Sequence, residues 1–388
     1  MSDPTQNTRN VIAACAAISV FGFAFGMTFP LLSLILESRG VETDMIGMNS
    51  AMMPIGILLF SSVIPTLTKR YGAKRIAIIA ALVAATVMLS YKVFDTLAAW
   101  FLIRLVQGMA ISTLFVLSES WIVGSAGEKN RGKIIAIYAS ILSASFGSGP
   151  LLISIIGIEG WTPFIIGSVV IFAGIIPFLY IDETVNDATE ETGASGIFSF
   201  ASQAPILLAA VGAFAIFDGA TLSLFPVYGI RNGLDITTSA NLVSALVFGN
   251  VILQFPLGWM ADKFSYRIVL IGCAMVTGVM LILFPFVIQS PLRWPVLILM
   301  GTCGYGVYTI SLAALGSRFK GNDLVNGSAS FAVMWGIGAL FGTILGGWSM
   351  HGIGLHALPF SLAGVYLLLT ILIKFNRLTN PAVDRVNL

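Results

Sequence analysis

Apolar residues fall in long blocks separated by short polar turns, and the blocks have the length that crosses a bilayer. A helix needs about 20 apolar residues to span a hydrocarbon core of ~30 Å. Runs of that kind occupy 11–36, 46–68, 76–94, 97–122, 134–157 and 162–181. After a polar interval six more follow, at 205–230, 236–261, 268–289, 295–317, 328–350 and 357–376. The pattern predicts an all-α membrane protein with twelve transmembrane helices in two pseudo-symmetric six-helix bundles.

The interval between the two sets holds Asp182, Glu183, Asp187, Glu190 and Glu191, no basic residue, and a Gly-Ala-Ser-Gly stretch. Such a segment predicts a solvated linker, with an acidic binding tail as the alternative. The expected organisation is therefore an N-terminal bundle over 1–181, a cytoplasmic linker over 182–203 and a C-terminal bundle over 204–388. Phe198 and Phe200 are expected to anchor the end of the linker at the membrane interface.

Composition identifies the solvent. With 57% hydrophobic and 10% charged residues and a mean hydropathy of +0.94, the chain lies far from soluble domains, where about a quarter of residues are charged. A net charge of +2 gives no reason to expect nucleic acid as a partner. The placement of the bases is more informative. With a cytoplasmic N-terminus, Arg39, Lys92, Arg231 and Arg293 face the opposite side, Arg104 lies within a span, and the other fifteen, including Arg9, Lys129 and Lys374, are cytoplasmic. The positive-inside bias predicts a multi-pass protein of the cell (inner) membrane with both termini cytoplasmic.

Cys15, Cys273 and Cys303 sit inside apolar runs without CxxC spacing and read as small packing residues. Ile12-Ala13-Ala14-Cys15 loosely fits a lipid-attachment box, but almost no apolar stretch precedes it. His351 and His356, near the outer ends of the eleventh and twelfth spans, read as solvated or capping residues. No metal site, cofactor loop, nucleophile elbow or catalytic acid pair is expected, so the chain does not read as an enzyme.

Shifting the chain by 193 residues superposes Lys69 on Asp262, Lys74 on Arg267 and Gly149 on Gly342. Each half then places a charged turn between its second and third spans and a glycine-rich fifth span, a pattern of transporters built from repeats. Gly258-Trp-Met-Ala-Asp262-Lys263-Phe-Ser-Tyr-Arg267, Arg104-Leu-Val-Gln107-Gly108 and Ser145-Phe-Gly-Ser-Gly149-Pro150 carry a further resemblance. Through them the chain resembles the major facilitator superfamily over nearly its whole length, most of all its bacterial drug-efflux and YcaD-like branches.

The first element is similar to the family's cytoplasmic loop motif, which implies a conformational role for Gly258, Asp262, Lys263 and Arg267. Ser265 stands where that motif has its second Gly. The first-half copy keeps Arg70, Gly72, Lys74 and Arg75 but has Lys69 in place of the acid. The resemblance of the second element implies proton coupling near Arg104 and Gln107. That of the third, to an antiporter element, implies a gating role for Gly149 and Pro150. Close helix packing and a proline bend explain the third element equally well.

Charges inside the membrane cost ~2.5 to 3.5 kcal/mol on insertion scales, so each marks a functional hypothesis. Arg104 lies about two turns into the fourth span, with Gln107 and Gly108 on its face; a structural arginine is the alternative. Asp218 stands near the midplane of the seventh span, sharing a face with Phe214, Thr221 and Phe225. In the resembled fold Arg104 and Asp218 would face each other from opposite halves, as a proton-linked acid and the base that tunes it, or as a fixed ion pair. Glu119 reads as a latch to the basic turn 69–75, with proton carriage as the alternative. Tyr305 and Tyr308 share a face and read as cavity lining or as aromatic packing.

The expected activity is alternating-access transport of a small organic solute, with proton-coupled efflux first and uptake or uniport as the alternative. A non-transporting receptor is more remote. Expected partners are the solute, protons and the lipid bilayer, with the chain as a monomer.

Overall fold

The computed structural model describes residues 4–125, 131–180, 200, 202–319 and 322–375. The linker expected at 182–203 lies almost wholly outside them, as does Phe198. Among the described residues every regular element of appreciable length is an α-helix. The first half contains α1 (Pro4–Ser38), α2 (Thr43–Ser61), α3 (Ile64–Tyr71), α4 (Ala73–Val93), α5 (Leu97–Ser125), α6 (Arg131–Ile156), α7 (Thr162–Ala173) and α8 (Ile175–Leu179). The second contains α9 (Pro205–Arg231), α10 (Ile236–Lys263), α11 (Tyr266–Val287), α12 (Arg293–Arg318), α13 (Asn322–Gly352) and α14 (Ala357–Phe375).

Eleven described segments are long and apolar enough to cross a membrane, and Ser140–Ile156 of α6 is a shorter apolar stretch in the position of the fifth span. Two runs that read as continuous are broken. The second span stops at Ser61 and restarts as α3, with Pro65 in its first turn, where a missing N–H costs nothing. The sixth pauses at Gly174 between α7 and α8.

The described chain forms two compact units. One comprises 1–41 and 49–191; the other comprises 42–48 and 192–388. The short segment 42–48, at the start of α2, thus groups with the later helices: Thr43 Oγ1 donates to the Gly347 carbonyl at 3.1 Å, and His351 Nδ1 lies 3.5 Å from Glu42 Oε2.

Each unit is closed by two glycine seams. A Cβ added at Gly26 would meet Phe146 O, at Gly149 Phe23 O, at Gly56 Leu105 O and at Gly108 Met53 O, all closer than the 3.0 Å that real Cβ atoms keep. In the second unit the same holds for Gly219 with Ala339 O, Gly342 with Ile216 O, Gly249 with Ile298 O and Gly301 with Leu246 O. Every glycine and every partner in the second set is its first-set counterpart moved by 193 residues. The repeat is therefore a repeat of contacts: first span on fifth, and second on fourth. The glycine hydrogen in the Cβ position points at a carbonyl, a weak Cα–H···O contact of the kind found where transmembrane helices approach closely.

The loop motifs also repeat, by different devices. Gly72 adopts φ 84° between α3 and α4, a conformation that glycine reaches at little cost. Its counterpart Ser265 has ordinary φ and caps α11, its hydroxyl accepting from Ile268 N at 3.4 Å. Lys74 Nζ donates to the last carbonyl of α8, Leu179 O, at 2.7 Å. Its counterpart Arg267 donates through Nη2 to Ile373 O at 2.9 Å and Lys374 O at 3.1 Å, at the end of α14. A cation at a helix C-terminus meets orphan carbonyls and the negative end of the helix dipole.

Phe200 corrects an expectation. It is buried among Leu207, Leu208 and Leu315, with its ring edge-on to Phe319 at 5.0 Å. It is a core residue of the second unit and not an interfacial anchor. Cys273 on α11 is buried and Cys303 on α12 half-buried, both as free thiols.

Candidate functional site

In the second unit, Asp218 occupies the middle of α9 and is 5% exposed. The Tyr305 hydroxyl of α12 donates to Oδ1 at 2.9 Å, and Trp335 Nε1 of α13 donates to Oδ2 at 3.1 Å. Hydrogen bonds to a charged group contribute about 1.5 to 3 kcal/mol each. Two of them therefore match, in order of magnitude, the ~2.5 to 3.5 kcal/mol cost of placing a carboxylate at mid-membrane. The acid is held by neutral donors.

Aromatic rings surround it. Phe214 packs against Tyr305 at 5.5 Å and Tyr308 at 4.9 Å. Phe217 lies edge-on to Tyr305 at 6.1 Å and Tyr366 at 5.5 Å. A Cβ at Gly304 would strike the Phe217 ring, and the Tyr366 hydroxyl donates to the Gly304 carbonyl at 3.1 Å. Tyr305, Tyr308 and Trp335 are half-buried, so the rim of the cage is open while the carboxylate is not. The ring contacts of Tyr305 and Tyr308 are those of aromatic packing.

In the first unit Arg104 of α5 is fully buried. Its Nη1 donates to Asn49 Oδ1 at 3.0 Å, and the guanidinium carbon lies 5.2 Å from the Phe29 ring centroid. Gln107, one turn on, accepts from the Tyr91 hydroxyl at 2.7 Å, and Tyr91 is fixed by Trp100, whose Nε1 donates to the Tyr91 carbonyl at 3.0 Å. Within their own units Arg104 and Asp218 each have neutral hydrogen-bond partners.

The remaining candidates are dispersed. Glu119 is exposed on α5, and Tyr138 of α6 lies within electrostatic range of it. Arg70 lies over the Tyr71 ring at 5.3 Å and Lys263 over the Trp259 ring at 4.8 Å. Lys69 ends α3 beside Arg70, and Arg75 is in the first turn of α4. Gly149 serves the first-unit seam, and Pro150 follows it within α6. The surroundings of Gly258 and the side chain of Asp262 lie outside the described residues. His356 Nδ1 is 2.9 Å from the Tyr228 hydroxyl.

Three residues of these sites were not singled out from sequence. Trp335 stands in mid-span, far from the interfaces where tryptophan concentrates, and that displacement was the available signal. Asn49 and Tyr91 are polar groups in otherwise apolar runs and carried the same kind of signal.

Two repeated helical units, built from apolar helices long enough to cross a bilayer, define a multi-pass membrane protein. The sequence profile of the Major Facilitator Superfamily matches residues 14–318 and 232–387, and the chain belongs to that family. It is 24% identical over 346 residues to the uncharacterized MFS-type transporter YfkF of Bacillus subtilis, covering 86% of this chain and 87% of the relative. To the uncharacterized MFS-type transporter YcaD of Escherichia fergusonii it is 25% identical over 382 residues, 98% of this chain and 99% of the relative.

Among solved structures, the nucleoside transporter NupG superposes with a TM-score of 0.73 at 14% identity, over 95% of this chain and 98% of that one. A bacterial homolog of the human lysosomal transporter Spinster, in an inward-facing and unoccupied conformation, gives 0.74 at 14% identity over 97% of both. These likenesses show the twelve-helix fold. The chain is a transporter of a small molecule embedded in a bilayer, and not an enzyme.

Proposed function

We propose that this transporter couples solute movement to protons, with Asp218 carrying the coupling proton, and that it exports a small amphipathic or weakly polar organic solute. One observation carries the reading: a buried carboxylate whose described partners are the neutral donors Tyr305 and Trp335. Such an acid can take a proton without breaking an ion pair, and opening of the cage exposes it to water again. Rocking of the two six-helix bundles by alternating access would supply the opening.

Export is favoured by the resemblance of the element ending at Gly149-Pro150 to that of antiporters. Uptake is the second reading, because packing against α1 accounts for Gly149 by itself. Vesicles reconstituted with the protein and loaded with a pH-sensitive dye test both. Solutes that raise its melting temperature by mass action are added to one side under an imposed pH gradient. Solute and proton moving in opposite directions supports export; movement in the same direction supports uptake; solute flux without dye response removes proton coupling.

The proposed setting is the inner membrane, as a monomer, with both termini and the 182–203 segment cytoplasmic, on the fifteen-to-four division of bases. Ser195→Cys, in a background without Cys15, Cys273 and Cys303, is expected to resist an impermeant maleimide added outside intact cells. Rapid labelling there inverts the topology.

For the loop motif, Asp262→Asn is expected to slow the transport cycle more than Lys69→Asn does, since only the second-half copy keeps the acid. In the resembled fold that acid meets a helix N-terminus, a contact worth up to ~2 kcal/mol when partly buried. Equal rates for Asp262→Asn and the parent would remove the gating role.

A further inference from the structure

Arg104 is a fully buried cation, and within its own unit the ionisable group close enough to act on it is Tyr91, a neutral phenol. Its Nη1 is bonded to Asn49, but its Nε and Nη2 have no partner. The two amides beside it are oriented alike. Asn49 Oδ1 is taken by the guanidinium and Gln107 Oε1 by the Tyr91 hydroxyl. Both amide nitrogens, Asn49 Nδ2 and Gln107 Nε2, are then left buried without acceptors.

The cluster is one place in the fold and not scattered orphans. Gln107 follows Arg104 by three residues and shares its helix face, and Asn49 touches the guanidinium directly. The Phe29 ring closes one side. Buried polar groups are nearly always satisfied, and each unpaired one costs about 1 to 3 kcal/mol. Here the unpaired nitrogens are all donors, around a positive charge, so the missing partner is an acceptor that is itself negative.

We propose that Arg104, Asn49 and Gln107 form a binding site for a single anionic group, the carboxylate of a transported solute or a small inorganic anion such as chloride. The planar guanidinium fork matches a carboxylate through two parallel N–H···O bonds, and a halide can sit in the same fork. The amides supply further donors, and the apolar wall of Phe29 keeps the contact dry. Glycine in the Gly108 seam holds α5 against α2, which sets the distance between Arg104 and Asn49. The inference uses the family's transport activity and the first unit alone, so it stands or falls separately from proton coupling at Asp218.

The test uses the full chain in detergent, with melting temperature followed against chloride, bromide, acetate and benzoate at constant ionic strength. A bulky sulfonate salt makes up the balance. In the parent, at least one of these anions is expected to raise the melting temperature in proportion to the logarithm of its concentration above its dissociation constant. Arg104→Gln removes the charge and is expected to weaken that anion by about tenfold or more. Asn49→Asp keeps the size of the side chain and supplies an internal carboxylate. It is expected to melt higher than the parent without anion, and to lose the anion response.

The source of the anion is read from competition followed by bromide NMR linewidth. Bromide displaced by benzoate points to a carboxylated solute, and bromide displaced by chloride but not by benzoate points to an inorganic ion. The site is disproved if no anion stabilises the parent more than the sulfonate does. It is equally disproved if the parent, Arg104→Gln and Asn49→Asp respond alike.

Discussion

Replacing Gly26 or Gly342 by alanine is expected to destabilise the folded protein by about 1 to 3 kcal/mol or more, the range for overpacking a well-filled interior. The added Cβ would fall on the carbonyl of Phe146 or Ile216, and backbone cannot rotate aside as a side chain can. The helices of the seam must separate along part of their length. Lipid tails are as apolar as the helix surface, so little hydrophobic force restores the contact.

Gly316 and Gly364 give the internal comparison. Both are helical, with nothing within 4 Å of an added Cβ, and alanine there is expected to be neutral or to stabilise by up to ~1 kcal/mol. Thermal unfolding in detergent, followed by intrinsic fluorescence, reads both classes. Equal melting temperatures for the seam and open-site variants would mean that the seams do not hold the units together. Because the seams repeat, Gly26→Ala and Gly219→Ala should cost similar amounts, as should Gly56→Ala and Gly249→Ala.

Asp218→Asn is expected to abolish pH-driven accumulation of solute while leaving solute exchange across the membrane intact. The amide keeps the size of the side chain and can still accept from Tyr305 or Trp335, but it cannot take or release a proton. Folding should survive, since removing a mid-membrane charge saves ~2.5 to 3.5 kcal/mol of insertion cost and loses charge-assisted bonds of about the same sum. Tyr305→Phe and Trp335→Phe each remove one donor and keep a ring, and they are expected to shift the pH dependence of transport without eliminating it. Counterflow under equal pH on both sides separates exchange from coupling. Loss of both together in Asp218→Asn would make the residue structural, and Glu119 the next acid to test.

The architecture was legible in the sequence because bilayer thickness imposes a length on every span, and the twelve apolar runs have that length. The repeat was half legible. Shifting the chain by 193 residues aligned Gly149 with Gly342, but the same shift also aligns Gly26 with Gly219, Gly56 with Gly249 and Gly108 with Gly301, and these went unread among few other identities. Helix breaks at Ser61 and Gly174 were hidden because hydropathy is blind to a local change of direction in an apolar run.

Asp218 and Arg104 were visible as charges inside spans, where cost alone marks them. Their partners were not, because Tyr305 is 87 residues from Asp218 and Trp335 is 117, and Asn49 is 55 from Arg104. Only packing decides such pairings. The resemblance implied gating for Lys74 and Arg267, and the structure adds a static task, since both cap the last helix of their own half. Phe200 misled because an aromatic after a polar segment looks interfacial until the residues it packs on are known.

The proton on Asp218 can be observed without a known solute, by infrared difference spectroscopy of the reconstituted protein during a pH titration. A protonated carboxyl group in an apolar site has a stretching band separate from the amide and carboxylate bands, and hydrogen–deuterium exchange shifts it. Such a band is expected in the parent, growing as pH falls, moving in Tyr305→Phe and Trp335→Phe where a hydrogen bond is lost, and missing in Asp218→Asn. An unchanged band in Asp218→Asn, or no pH-dependent carboxyl band in the parent, would contradict the assignment of the coupling proton to Asp218.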